Sequence, residues 1–439
     1  MTRIFSIVGN PVLHSKSPQM HNAAFNEKNI DAVYTRLAAE SAEQALEIAK
    51  EIGMEGMNVT TPFKEDMTKL VEMDETAKKV GAVNTVLMKD GKVLGTNTDV
   101  NGVMGALNKK LDGKKAIVLG GGGAARAAAV ALIVLGAKVT VVNRTAEKAK
   151  AIANALGCSH AELSDMEEEI PGTDVLVSTI STGNRVIQPR FLEKNMIVLD
   201  ANYAIESQLL KDAKNTGCRT IDGKEWLLHQ GVKAFELFTG ETAPLAVMRS
   251  AIETKTKKKT NIALVGMMGT GKTALAESLA KQTSRRIVDT DREIEKIAGG
   301  RVQEIFRKYG EKEFRKLERE EIKKLGEVKD SIIACGGGVV VDPKNATVLR
   351  ENSTVVWLWA NPETIGKRVS GQTRPLLNVN DRGNAIEQIL EERKGLYAKA
   401  SDLIVPTNQA SPEQISKRVL NEKMHDGDPK PQAVNRRGF

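Results

Sequence analysis

An α/β chain built on parallel sheets, in three successive parts, is the fold class this sequence predicts, and three stretches predict it. Gly266 to Thr273 (GMMGTGKT) meets the GxxxxGK[ST] phosphate-loop pattern at every fixed position, after a buried-strand pattern at Asn261 to Val265 and before helical spacing over Ala274 to Lys281. Lys114 to Leu119 (KKAIVL) runs straight into Gly120 to Arg126 (GGGGAAR) and an apolar helix, Ala127 to Leu135. A second strand, Lys138 to Val142, follows at the distance of a βαβ unit. Ahead of both, Arg3 to Val8 (RIFSIV) is a strand that ends in the turn Gly9-Asn10-Pro11. The expected order is an N-terminal α/β domain, a Rossmann domain, and a P-loop domain with a parallel sheet.

The length of 439 residues suits about three domains. Lys plus Arg (64) exceed Asp plus Glu (56) by 8, but aromatic residues make up only 4% and no nucleic-acid-binding signature is present. Small anionic ligands account for that excess, part of which sits in the joint Lys255 to Lys259 (KTKKK), so no nucleic acid partner is expected. Cys158, Cys218 and Cys335 lie far apart without metal-type spacing, which points to a reducing, cytoplasmic setting. Cys335 is expected to be a buried small residue, and the five histidines form no zinc pattern. The longest apolar run, around Ala127 to Ala137, is too short to cross a bilayer, so no membrane association is expected.

In the first part, His14 to Pro18 (HSKSP) sets two hydroxyls one residue apart ahead of a helix over Gln19 to Lys28. They can point at one anion or simply cap the helix. Gly56 to Lys64 (GMNVTTPFK), Gly81 to Thr85 (GAVNT) and Gly95 to Asp99 (GTNTD) then place polar residues at strand and loop ends, where sites are commonly built. HSKSP, NVTTPFK, GAVNT and NTD, in this order and spacing, closely resemble shikimate dehydrogenase. That resemblance implies that Ser15 and Ser17 bind a substrate carboxylate. It makes Asn58, Thr60, Asn84 and Asp99 partners of the ring oxygens, and Lys64 the acid/base residue paired with Asp99. Reducing a ketone needs a proton donor at the oxygen as hydride arrives, and a lysine held by a carboxylate meets that need.

In the second part, GxGxx[GA] is met by Gly120, Gly122 and Ala125. Gly120, Gly121, Gly122, Gly123 and Ala124 form the expected pyrophosphate cradle; Gly121 stands where the resembled family often has Ala. An NAD site normally places a carboxylate at the end of the second strand, but here the chain reads Asn143-Arg144-Thr145. A guanidinium beside a hydroxyl suits a 2′-phosphate, so NADP(H) is expected. Asp200 to Tyr203 (DANY) and Asp222 to Phe238 again resemble shikimate dehydrogenase. This implies that Gln230 approaches substrate, that Tyr203 and Gly223 line the cofactor and substrate cleft, and that a final helix over Ala243 to Ile252 packs back.

In the third part, the loop residues Gly266, Met267, Met268, Gly269, Thr270 and Gly271 are expected to wrap ATP phosphates. Lys272 would reach the outer phosphates and Thr273 would hold Mg²⁺. Arg286 to Asp291 (RIVDTD) reads as a strand ending in two carboxylates, with Asp289 a water-mediated Mg²⁺ partner. Gly310 to Glu318 (GEKEFRKLE) is a polar helix that alone would be a solvated face. With DTD, GEKEFRKLE, a strand-borne Gly336-Gly337-Gly338, RPLL at Arg374 to Leu377 and RKGLY at Arg393 to Tyr397, the chain from about Asn261 to Val405 resembles shikimate kinase. This implies a fold like that of nucleoside monophosphate kinases, with Asp291 gripping and activating the substrate hydroxyl. It also implies that Arg315 and Arg393 bind the carboxylate, that Gly337 offers its N–H, and that Arg374 lies on a lid, Gly371 to Asn384. The family's basic residue at the adenine has no clear counterpart near Asn408 to Pro412.

The expected division is a substrate domain over 1–101 with a returning helix near 239–253, a Rossmann domain over 102–238, a linker over 254–260, a kinase domain over 261–421 and a disordered tail over 422–439. The two resemblances name consecutive steps: NADPH-dependent reduction of 3-dehydroshikimate, then Mg-ATP-dependent phosphorylation of shikimate. Quinate for the first half, another hydroxyl acceptor such as gluconate for the second, and a catalytically dead nucleotide-binding regulator are the competitors. The oligomeric state is left open.

Overall fold

Both nucleotide loops follow from one packing rule: strands buried on both faces read as unbroken apolar runs, and each must leave its sheet through residues that permit a sharp turn. The computed structural model describes residues 1–180, 185–203, 206–255, 257–370 and 381–426. It divides into two compact units. The first comprises Met1–Pro18, Asp31–Met54 and Lys255–Phe439; the second comprises Gln19–Ile30 and Glu55–Thr254. Residues 1–54 thus fall largely with the phosphate-loop part, a grouping that the expected 1–101 domain does not contain.

In the first unit the strands Arg286–Asp289, Ser331–Ala334, Asn261–Val265, Ser353–Trp359, Leu403–Pro406, Ala32–Ala38 and Arg3–Gly9 lie side by side in that order. Every neighbouring pair is parallel. Asn261–Val265 and Ser353–Trp359 are buried throughout. Trp357 stacks on Tyr397 at 5.6 Å on one side of the sheet. The phosphate-loop strand ends at Val265, and the helix Lys272–Thr283 starts beyond the glycine turn.

Three expectations shift here. The strand Arg286–Asp289 stops at its first carboxylate, and Asp289 caps the helix Thr290–Ala298 by accepting from Arg292 N–H at 3.2 Å, so Asp291 rides on a helix. The glycine run is not strand-borne: Ser331–Ala334 ends before it, and Gly336 and Gly338 sit in the turn beyond. The last helix, Pro412–His425, runs past residue 421 into the expected tail because Glu422 and Lys423 are buried. Residues 427–439 lie outside the described residues. GEKEFRKLE is helical, within Val302–Lys324, which breaks at Gly310 (φ 79°).

In the second unit, Arg219–Ile221, Ile197–Asp200, Val175–Ser178, Lys115–Leu119, Lys138–Asn143 and Ser159–Glu162 form an all-parallel sheet in that order. Numbered along the chain this is 6-5-4-1-2-3, the dinucleotide-binding order, whose switch point lies between Lys115–Leu119 and Val175–Ser178. The strands Gly56–Val59, Thr85–Lys89 and Lys92–Thr96 form an antiparallel meander, with Glu72–Met73 on its edge. In this unit helix Asp99–Leu107 crosses helix Gly223–Thr239 very closely. A β-carbon on Gly102 would lie 2.5 Å from Trp226, and one on Gly105 2.4 Å from His229, so these positions admit only glycine at this spacing. Helix Leu245–Glu253 returns against Gly223–Thr239 through the Arg249–Glu225 ion pair.

Candidate functional site

In the second unit, strand Gly56–Val59 leads to Thr60, half-buried at its end, and the chain turns through a cis Thr61–Pro62 bond to Lys64. Asp99 opens helix Asp99–Leu107. Lys64 Nζ lies 2.5 Å from Asp99 Oδ2, in a pair whose side chains are 20% and 10% exposed. Both are anchored to one segment: Lys64 C=O accepts from Val83 N–H at 2.9 Å, and Asn97, which accepts from Asp99 N–H, donates to Ala82 C=O at 2.9 Å.

Around this pair runs a buried polar chain. Asn58 Nδ2 donates to the Thr85 hydroxyl at 2.9 Å, and Asn84 Oδ1 accepts from Thr98 N–H at 2.7 Å. Because that N–H can only donate, the facing atom of Asn84 is its oxygen, which leaves the amide nitrogen as the donor of this side chain. Gln230 Nε2 bonds its own helix at Leu227 C=O (2.9 Å), and Thr98 Oγ1 lies 3.4 Å from Gln230 Oε1. Lys64, Asp99, Asn58, Asn84 and Gln230, scattered over the first half of the chain, are thus brought together through Thr85 and Thr98, neither of which sequence reasoning had singled out.

The dinucleotide loop adjoins them. A β-carbon on Gly123 would sit 4.0 Å from Lys64 Cδ, so the first turn of helix Gly123–Val134 is in contact range of the lysine. Gly120 has φ 133°, and a β-carbon there would lie 2.1 Å from Thr179 Oγ1, across the switch point. The space a side chain at Gly121 would enter is taken by Asn143 Nδ2, at 2.9 Å. Gly122 faces nothing within 4 Å, which leaves the helix N-terminus open to an anion. Ala124 follows in the same first turn.

Asn143 donates to Thr145 C=O at 3.1 Å, and Arg144 between them is exposed and makes no ion pair among the described residues. Lys148, one turn on, lies beside Gly121 and adds a second cation at this end of the loop. Tyr203 lines a cleft of about 640 Å³ with Asn202, Ile221 and Asp222. Gly223 next to it is fixed by close approach, since a β-carbon would meet Ala201 C=O at 2.3 Å. Burial pushes the Asp200 carboxyl above its ordinary value, opposed by bonds from the Ser207 hydroxyl and Asn202 N–H.

In the first unit, Ser15 and Ser17 are both buried with their hydroxyls 3.3 Å apart, and Ser15 Oγ also accepts from Ser17 N–H at 3.3 Å. The phosphate loop is shaped by positive φ at Gly266, Gly269 and Gly271 (141°, 80° and 93°). At Gly266 a β-carbon would lie 2.6 Å from Leu358 C=O. Thr270 pins the loop through Met267 C=O at 2.8 Å, and Lys272 Nζ arches back to Gly266 and Met267 carbonyls at 2.8 and 2.9 Å.

A hollow of about 330 Å³ is lined by Met268, Gly269, Gly271, Lys272, Thr273 and Asp289, among others, and a second of about 90 Å³ by Arg315, Glu318 and Arg393. Asp291, Met268 and Gly337 line both. Thr273 and Asp289 fit a Mg²⁺ that takes few protein oxygens and completes its shell with phosphates and water.

The triple glycine makes room for the charged groups. A β-carbon on Gly336 would sit 2.4 Å from Asp291 Oδ1, and one on Gly338 2.3 Å from Arg315 Nη2. Gly337 C=O accepts from the Tyr397 hydroxyl and from Arg393 at 3.4 Å, which orients its peptide. Arg315 is clamped by Glu318 at 2.9 Å and Glu311 at 3.0 Å. Glu318 is 1% exposed; burial raises its pKa, Arg315 opposes this, and Asp291 adds to it. The sequence reading included Glu318 in the kinase-like stretch GEKEFRKLE but gave it no role. It also missed Arg368, which lines the loop hollow and reaches Thr407 C=O at 2.6 Å, bringing a guanidinium beside the segment where a basic residue was sought. Cys335 is buried, as expected. Arg374 and lid residues 371–380 lie outside the described residues, and Asp381 caps helix Arg382–Ala400.

Comparison with known proteins yields four family matches. Residues 7–86 match the shikimate dehydrogenase substrate binding domain, 104–203 match shikimate / quinate 5-dehydrogenase, 227–253 match the shikimate 5′-dehydrogenase C-terminal domain, and 268–423 match shikimate kinase. The NADP(+) shikimate dehydrogenase of Natronomonas pharaonis is 42% identical over 260 residues, 57% of this chain and 98% of that one. Among solved structures, shikimate 5-dehydrogenase from Thermus thermophilus in complex with NADP(H) and shikimate has TM-score 0.53 and 31% identity, covering 57% of this chain and 98% of its own. Quinate dehydrogenase from Corynebacterium glutamicum in complex with NAD has TM-score 0.53 and 32% identity over the same shares.

Proposed function

The chain belongs to the shikimate dehydrogenase family and carries a shikimate kinase domain behind it, and from that premise we propose that it performs two consecutive reactions: reduction of 3-dehydroshikimate to shikimate with NADPH, then phosphorylation of shikimate to shikimate 3-phosphate with Mg-ATP. The observation that carries the reading is the Lys64–Asp99 contact at 2.5 Å with the cofactor loop beside it at Gly123. In the kinase half the counterpart is Asp291, which borders both the phosphate hollow and the two-arginine hollow.

NADPH supplies hydride and Mg-ATP supplies the phosphoryl group when bound. In the first step Lys64 delivers a proton to the ketone oxygen while the carbonyl carbon takes the hydride, and Asp99 keeps the amine aimed. Asn58, Thr60, Asn84, Tyr203 and Gln230 orient the ring, and Ser15 and Ser17 take its carboxylate. Gly120 to Ala124 and Gly223 receive the cofactor, and Asn143, Arg144 and Thr145, with Lys148, receive its 2′-phosphate. In the second step Asp291 accepts the proton of the attacking hydroxyl as the new P–O bond forms and the bond to the leaving oxygen breaks. Lys272 neutralises the phosphates, while Arg315, Arg393 and the Gly337 N–H hold the acceptor. Arg374 joins the phosphates on the family resemblance, and Arg368 offers a planar face to the base.

The functional division we propose follows the sequence-based one, 1–101 and 102–238 for the dehydrogenase and 261–421 for the kinase, with the last helix extended to His425. Three unpaired cysteines support a cytoplasmic setting. Quinate is the second reading for the first half, since a quinate dehydrogenase is as similar as the shikimate enzyme of Thermus thermophilus; exposed Arg144 favours NADP(H) over the NAD that the quinate dehydrogenase binds.

Turnover of 3-dehydroshikimate by the full chain, with NADPH and ATP added singly and together, tests the proposal. Lys64→Ala should cut reduction by at least about a hundredfold and spare phosphorylation, and Lys272→Ala should do the reverse. A wild-type chain that makes no shikimate 3-phosphate with both cofactors present refutes it.

A further inference from the structure

The loop that carries Ser15 and leads into Ser17, the first residue of helix Ser17–Glu27, is held on one side by a group from the opposite end of the sequence. Glu422 stands in the final helix, Pro412–His425, near the end of the kinase match, and is fully buried. Its Oε2 accepts from the backbone N–H groups of Val12 and Leu13, each at 2.7 Å. Val12 C=O in turn accepts from Ser15 N–H at 3.0 Å, so a grip on Val12 sets where the first serine stands. A buried carboxylate is costly unless its bonds are charge-assisted and well formed, and both of these are spent on this one loop.

The other end of the loop is held by Arg36, which is 6% exposed on strand Ala32–Ala38. Its Nη2 and Nε donate to Ser15 C=O at 2.6 and 3.2 Å, and its Nη1 donates to Asp402 C=O at 3.2 Å. Asp402 belongs to the kinase half: its carboxylate pairs with Lys259 at 2.9 Å and accepts from Val355 N–H at 2.9 Å. The neighbouring strands continue the attachment, with Ile404 opposite Leu37. Arg418, one turn before Glu422, pairs with Glu40 just beyond the same strand. The grips fall on backbone atoms at both ends of a short loop, and neither occupies a serine hydroxyl.

We propose that Glu422, from within the kinase half, and Arg36, braced against Asp402 of that half, are positioning residues for the dehydrogenase step, setting the serine hydroxyls for the substrate carboxylate. The kinase polypeptide is then a working part of the dehydrogenase substrate site, and reduction depends on it even when no ATP is present. This rests on the reading of Ser15 and Ser17 as carboxylate-binding hydroxyls.

The test uses the full chain and four variants, Glu422→Ala, Glu422→Gln, Arg36→Lys and Ser15→Ala, each assayed for both activities. Glu422→Ala should raise KM for 3-dehydroshikimate about tenfold, with kcat within about twofold. KM for NADPH and both kinase constants should stay at wild-type values. Glu422→Gln, which keeps one acceptor oxygen, should restore part of the loss, and Arg36→Lys, which lacks the planar fork that gives two hydrogen bonds to Ser15 C=O, should raise the same KM. An unchanged substrate KM in Glu422→Ala overturns the proposal, as does a parallel fall in the kinase rate, which marks general loss of structure. If Ser15→Ala raises KM and Glu422→Ala does not, the positioning role fails alone. If Ser15→Ala changes nothing, the carboxylate reading fails with it.

Discussion

Lys64 and Asp99 show what a single contact can and cannot decide: their 2.5 Å approach fixes the direction of the amine, whereas the cofactor preference we propose rests elsewhere, on Arg144 just past the strand Lys138–Asn143. With no ion pair to satisfy it among the described residues, that guanidinium is available to meet a 2′-phosphate. Arg144→Ala should raise KM for NADPH about tenfold or more and leave the weaker use of NADH nearly unchanged, read by steady-state kinetics with each cofactor. An equal loss with both would count against the assignment. His21 is a residue of another kind. It is buried among Phe25, Phe235 and Phe238, and burial lowers its pKa from 6.5 to about 3. Between those values the unfolded chain binds a proton that the folded chain refuses, so stability rises with pH across the window and is lost as pH falls through it. The slope is at most about 1.4 kcal/mol per pH unit. His21→Phe should flatten the fall in denaturant midpoint between about pH 6.5 and 4, and an unchanged slope would show that other groups set it. At this scale the roles proposed for Lys64 and Asp291 came from the motifs around them and their family resemblance, and that for Arg144 from the missing carboxylate at the end of its strand. The sequence was silent on Glu318, whose helix looks solvated until Arg315 folds over it, and on Arg368, whose partner at Thr407 is remote in the chain.

At the scale of elements, glycines act as reserved volume. Gly336 and Gly338 flank a peptide whose carbonyl is fixed by Tyr397, and the space above them is filled by Asp291 and Arg315. Gly338→Ala should therefore displace the Arg315 guanidinium and raise KM for shikimate in the kinase reaction about tenfold or more, with dehydrogenase turnover unaffected. Kinetics of the two reactions on the same preparation would show it, and an unaltered shikimate KM would mean that the turn yields without disturbing the arginine. Strand and helix patterns were readable for the buried parallel runs, since those runs have no polar face to confuse the period. The ends were less so. RIVDTD continues its apolar run into a capping carboxylate, and only the bond from Arg292 N–H to Asp289 reveals that a helix has begun. Gly102 and Gly105 could not be read at all, because their reason is Trp226 and His229 on a helix that comes more than a hundred residues later.

For the molecule as a whole, local pattern identified both nucleotide-binding folds, and the strand order 6-5-4-1-2-3 follows from the βαβ rule once the glycine loop is placed. What no local pattern could state is which segments share a sheet. The pairing of Ala32–Ala38 with Leu403–Pro406 joins residues more than 350 positions apart, and it was absent from the expected division at residues 254–260. That pairing bears on how such a fusion can be taken apart. In the first unit the kinase strand Leu403–Pro406 has no bare row of amides and carbonyls on the side where Ala32–Ala38 lies. Severing the gene at the lysine-rich joint would produce a kinase fragment with that flank uncovered, the kind of open margin through which sheets recruit one another into aggregates. The covalent tie is thus a safeguard on solubility as much as a link between two catalysts, and a split version would need a new cover for that margin before either piece could be judged on its own.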